Sequence, residues 1–202
     1  MNSQTLIRWS GMALLVAGIL YLAGIFHPPD TLEGVLSPAW TPVHYVISIH
    51  HVFLVFGLIG LYAYQAEKAG RLGLIAFILT AATNAMFPTF ALFEAALMPT
   101  LVADPATRSL ADPTAGGAFG TLILGAVVVA LVGYILFGIA IMRAGVLPRW
   151  AGLLIMVGWV LLFFGSGLPV LALIKPIGIV LAGLGYAWCG YGIWLSKSEM
   201  SA

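Results

Sequence analysis

Charge is what this sequence of 202 residues most conspicuously lacks: 8 Lys and Arg against 7 Asp and Glu, or 7% of the chain, where a soluble domain carries about 25%. With 62% hydrophobic residues and a mean hydropathy of +1.09, a soluble fold is excluded, because so much apolar surface cannot be hidden from water in a chain this short. The net charge of +1 and the absence of any basic run deny a nucleic acid the electrostatic footprint it needs. One cysteine, Cys189, cannot make an intramolecular disulfide, and its place inside an apolar run makes it a small packing residue. There is no Cys cluster, no Gly-rich phosphate loop and no lipidation box, which removes zinc-ribbon, nucleotide-binding and lipid-anchored readings.

Long apolar runs are what is present. Crossing the hydrocarbon takes about 20 apolar residues, and six runs qualify, at about 5–26, 42–64, 72–98, 118–142, 150–168 and 177–195. The pattern predicts an all-α polytopic membrane protein, one six-helix transmembrane domain over 1–202. The first run has Arg8 ahead of its apolar core, as a signal peptide would, but it is long for that role and Leu22-Ala23-Gly24 is a poor cleavage site. Between the last two runs, residues 169–176 read as a tight turn or a re-entrant bend.

Lys and Arg concentrate in cytoplasmic loops. On a six-helix path Arg8, Lys68, Arg71, Arg143, Arg149 and Lys197 share one side, and Arg108 and Lys175 the other. Both termini are therefore expected in the cytoplasm. Trp9, Tyr62, Tyr64, Trp150 and Trp194 then fall at the inner interface and Trp40 and Tyr45 at the outer one, as an aromatic belt requires. The two long connections, 28–41 with Asp30 and Glu33 and 99–117 with Asp104 and Asp112, lie outside, where lids or short interfacial helices are expected.

Arg8-Trp9-Ser10-Gly11 at the first helix returns as Arg149-Trp150-Ala151-Gly152 at the fifth. An interfacial Arg followed by an aromatic and a small residue suits any helix start at the cytoplasmic face, so convergence explains the repeat better than duplication. The segment Gly145-Val146-Leu147-Pro148-Arg149-Trp150-Ala151-Gly152 resembles the turn of small six-helix bacterial inner-membrane proteins of unknown function. The likeness covers this turn, the opening of the first helix and the six-span plan. It implies a multi-pass protein of the bacterial inner (plasma) membrane and carries no catalytic residues across.

Polar residues inside the runs carry whatever chemistry there is, since ionisable groups in membrane segments are rare and usually functional. The second run holds His44, His50 and His51, three of the four histidines. On a helix His44 and His51 lie on nearly one face but about 10 Å apart, and His50 and His51 diverge by roughly 100°. No two of them can share an ion unaided. His27 at the end of the first run, His44, and Glu94 near the end of the third fall in the outer half, with His50, His51 and Asn84 deeper. Pro88 in the middle of the third run can kink it and open a cavity.

The expectation is a polar pocket between the first three helices, open to the periplasmic side, with His44, His51, Glu94, Asn84 and His50 as candidate ligand-binding residues. A Glu94 that faces His44 would allow an ion pair or a shared proton. The plainer alternative for the histidines is interhelical hydrogen bonding. Three functions follow. The first is a small-molecule binder or carrier. The second is an oxidoreductase or electron carrier with a metal held by His27, His44 and Glu94, or a haem held by His27 and His44. The third is a non-catalytic subunit or assembly factor of a membrane complex, motivated by the small-residue pairs Gly178 with Ala182, Gly183 with Ala187 and Gly185 with Cys189 in the last run, which suit either internal packing or a homodimer seam.

Overall fold

A computed structural model of the chain describes residues 3–110, 118–167 and 173–196. Every regular element among the described residues is helical. Helix α1, Ser3–Tyr21, runs on into a 3-10 turn, Leu22–Phe26. The short α2, Leu32–Val35, starts where the Thr31 hydroxyl accepts the Gly34 N–H at 3.1 Å, a side-chain cap on otherwise orphaned donors. Then come α3, Trp40–Ala96, α4, Met98–Ala103, α5, Ala118–Ala144, α6, Arg149–Gly167, and α7, Ile174–Leu195. Five helical stretches are long and apolar enough to cross a membrane: Ser3–Phe26, Trp40–Ala103, Gly120–Ala144, Arg149–Ser166 and Ile174–Leu195. The chain has the make-up of a multi-pass membrane protein.

The count of five against an expected six has one cause. The runs 42–64 and 72–98 form two helices that meet at Gly70 (φ 55°, ψ −148°) with no loop between them, and are counted as one through α3; that conformation is open essentially to glycine alone. A straight helix of its 57 residues would be about 85 Å long, nearly three bilayer cores. Instead it folds back on itself. Trp40 Nε1 donates to the Glu94 carbonyl (2.8 Å), Ser48 Oγ to that of Pro88 (3.3 Å), His51 meets Asn84, and the Tyr62 and Phe77 rings stack at 4.9 Å. α3 is thus two antiparallel limbs, 40–69 and 71–96, with Glu67, Lys68 and Arg71 at the bend.

The turn from α5 to α6 needs a left-handed residue as well. Gly145 (φ 64°) follows the last residue of α5, its N–H bonding back to the Ile141 carbonyl, and Pro148 precedes the first residue of α6, the usual glycine stop and proline start. Of the turn expected over 169–176, residues 169–172 lie outside the described residues, and Lys175 and Pro176 belong to the first turn of α7.

The helices close a ring: α1 lies between α3 and α7, α5 between α3 and α6, and α6 packs on α7. Small residues let backbones meet. Gly178 and Ala182 of α7 abut Gly158 of α6, and Gly183 abuts Gly18 of α1, so these small pairs serve packing within the chain. The core on the ring axis is Leu14, Leu54, Leu58, Tyr134, Phe137 and Tyr186 among others. A second apolar cluster, Val35, Trp40, Met98 and Val102, fastens α2 and α4 over the end of the α3 limbs remote from Gly70.

Candidate functional site

At that capped end a cavity of about 250 Å³ opens into the bundle. Its walls are Phe87, Phe90, Trp159 and Phe163, Tyr21 and His51 line it as well, and its polar groups also include His27, Glu94, Ser166 and Lys175. Every long helix contributes, α5 through Ile123 and Val127 and α6 through Trp159 to Ser166. The space therefore lies on the ring axis and not, as expected, between the first three spans alone. Of the sequence candidates, His27, His51 and Glu94 line it; His44, His50 and Asn84 stand behind its wall.

The His27 end is a cluster around His44, which is 2% exposed. His44 Nδ1 lies 2.7 Å from the Trp40 carbonyl and His27 Nδ1 2.5 Å from that of Pro28. A carbonyl only accepts, so both rings carry their proton on Nδ1 and turn Nε2 toward each other, at 3.2 Å. Glu94 Oε2 lies 3.4 Å from the same His44 Nε2. Asp30 stands 3.9 Å from His27 Nε2 and 3.1 Å from Lys175 Nζ. Burial, with the Lys175 charge adding to it, pushes His27 down to about 4, against the upward pull of Asp30, so its ring is neutral at ordinary pH. The Trp40 ring lies beside both imidazoles, 4.3 Å from His44 and 5.2 Å from His27 between centroids.

One level deeper runs a chain of neutral hydrogen bonds. Asn84 Nδ2 donates to the Thr80 carbonyl (2.7 Å) and the Tyr134 hydroxyl (2.6 Å), which fixes the amide orientation. Its Oδ1 must then accept from His51 Nδ1, 2.9 Å away. The Tyr134 and Tyr186 hydroxyls are bonded to each other, and Trp159 Nε1 donates to Tyr186 at 2.5 Å. Both limbs of α3 and all of α5, α6 and α7 are joined by this belt. His50 is turned elsewhere: its Nδ1 bonds the Ala17 carbonyl (2.8 Å), its ring stacks on Tyr21 at 4.5 Å, and its buried Nε2 has no partner.

Tyr21 at the end of the first span, Tyr134, Trp159 and Tyr186 in the last three, and Lys175 at the start of α7 are further residues of the site and of the layer beneath it, none of them among the candidates above. The available signal was position: a Tyr or Trp in mid-span, away from the interfacial belt, must find a partner for its polar atom.

The haem and metal readings do not fit. His27 and His44 touch edge to face with centroids 4.8 Å apart, which leaves no slot for a macrocycle between them. Among the described residues no group of three or more His, Cys, Asp or Glu side chains is placed to hold a metal ion, so His27, His44 and Glu94 do not form a finished cage. Compared with protein-family models, curated proteins and solved structures, the chain matches none.

Proposed function

We propose that this is a six-crossing membrane protein, both termini cytoplasmic, that binds or carries a small, mainly apolar molecule bearing one polar group, taken up at the His27 end on the outer face. Six crossings follow if each limb of α3 spans the membrane once. The observation that carries the binding reading is the cavity itself: an aromatic space on the bundle axis with Glu94, His27 and Lys175 among its lining residues, the mixture of apolar wall and few polar groups typical of ligand sites. The orientation rests on the grouping of Lys and Arg. Arg8 stacks over Trp194 at 5.0 Å, and Leu147 and Pro148 of the α5–α6 turn approach Gly192, so the termini and that basic turn share one end.

The test uses three probes of one size and different charge, benzylamine, benzyl alcohol and benzoate, followed by saturation-transfer NMR on protein in lipid nanodiscs. At least one should bind saturably, and Ser166→Phe, which places a ring in the cavity, should abolish that signal while leaving the helical circular dichroism intact. Equal signals from the native and Ser166→Phe proteins for all three probes would remove the reading.

A further inference from the structure

We propose that His44 is a proton-binding site: it takes a second proton on Nε2, between the Nε2 lone pair of His27 and the carboxylate of Glu94, and this proton pins the mouth of the cavity. The inference rests on the arrangement of these atoms and not on the cavity's being a ligand site.

Both imidazoles are anchored through their δ-nitrogens. Each lies against a carbonyl oxygen, so in the neutral rings both Nε2 atoms are bare lone pairs, and they lie 3.2 Å apart. Two lone pairs do not attract at that distance; a hydrogen bond needs one proton between them. Moving a proton to Glu94 does not help, because the imidazole lone pairs still oppose each other. A metal ion would also resolve the contact, but the grouping it needs is absent among the described residues. A proton on His44 resolves it and supplies the Glu94 carboxylate with a cation in the same step.

Charge balance points the same way. Lys175 is paired with Asp30 at 3.1 Å, and the ion-pair partner of Glu94, whose side chain is 27% exposed, is His44. A carboxylate inside a membrane span without a cation is expensive. Trp40 gives the imidazolium a further partner, its ring centroid 4.3 Å from that of His44, within the reach of a cation–π contact. The titratable and charged groups around the site are His27 and Asp30 after α1, Glu94 on the second limb of α3, Lys175 at the start of α7, and His51 two turns from His44 on the first limb; the cavity-lining residues of α5 and α6 contribute none.

The proton comes from the outer medium and returns to it. Its loss leaves opposed lone pairs and an unpaired carboxylate at the contact between the segment after α1 and both limbs of α3, so that contact loosens when His44 is neutral.

The experiment is long-range proton–nitrogen NMR of the full chain, labelled with nitrogen-15 in histidine only, in lipid nanodiscs between pH 5 and 9. One histidine, identified by its loss in His44→Gln, should convert reversibly to imidazolium while the other three keep the neutral Nδ1–H pattern. Glu94→Gln, of the same shape, should weaken the proton affinity about tenfold or more. If His44→Gln does not fold, the Trp40 signal, taken as the fluorescence of native protein minus that of Trp40→Phe, should still show a quenching step at low pH that moves in Glu94→Gln. An absent His44 titration, a titration indifferent to Glu94→Gln, or stoichiometric zinc uptake that erases the imidazolium signal would overturn the proposal. A null result with the three aromatic probes would leave it standing.

Discussion

Two clusters of imidazoles lie about two helical turns apart, and they are built to opposite specifications. Around His44 the partners include a carboxylate, a second imidazole and, through Asp30, a lysine. Around His51 they are an amide, two phenols and an indole, all neutral and linked end to end across the bundle. Residue type does not decide which behaviour appears, since His27, His44 and His50 all anchor Nδ1 on a backbone carbonyl and His51 anchors it on an amide oxygen. The partners around the ring decide it: charged neighbours in a partly open place make a group that can change state, and neutral ones linked across the bundle make a strut.

Cutting the strut should have the largest effect. Asn84→Leu strands the His51 Nδ1–H inside the bundle and takes a donor from the Tyr134 hydroxyl, which keeps its bond to Tyr186, and stability in detergent unfolding should fall by about 2 to 3 kcal/mol, the upper part of the range for one stranded buried group. Tyr134→Phe removes one of the two acceptors of the Asn84 amide and the link to Tyr186, and should cost about 1 to 2 kcal/mol in the same assay. Glu94→Gln acts on the other cluster. Because Glu94 is partly exposed, its unfolding free energy should stay within about 1 kcal/mol of native at pH 8, while the low-pH quenching step of Trp40 shifts; a large loss of stability at that pH would erase the distinction between the clusters. His50→Phe should be the mildest, within about 1 kcal/mol by thermal unfolding, since an aromatic ring keeps the stack on Tyr21 and removes an unpartnered buried nitrogen.

How much of this was readable beforehand depended on how each residue signals itself. Apolar run length located every long helix, because bilayer thickness sets it. It did not show how the second and third runs join, since a polar stretch from Gln65 to Arg71 reads as a loop and only the dihedral angles of Gly70 show that one residue suffices for the reversal. His44 and Glu94 stood out as ionisable groups in apolar surroundings, and the antiparallel limbs bring them to 3.4 Å. Tyr134, Trp159 and Tyr186 were hidden because a phenol or indole counts as hydrophobic in any composition, and its polar atom matters only when five helices converge on it. The side to which His50 turns depends on the rotation of α3 against α1, which the sequence does not encode locally.

The one-residue reversal at Gly70 also constrains how the protein can move. With no slack at that end, the limbs of α3 cannot slide past each other there; they can only swing apart like the arms of tweezers about a fixed pivot. Displacement in such a device grows with distance from the pivot and is greatest at the tips, where Trp40 and His44 face Glu94. A small angular change anywhere along the hairpin is thereby delivered, amplified, to the one place where a proton can hold the tips closed.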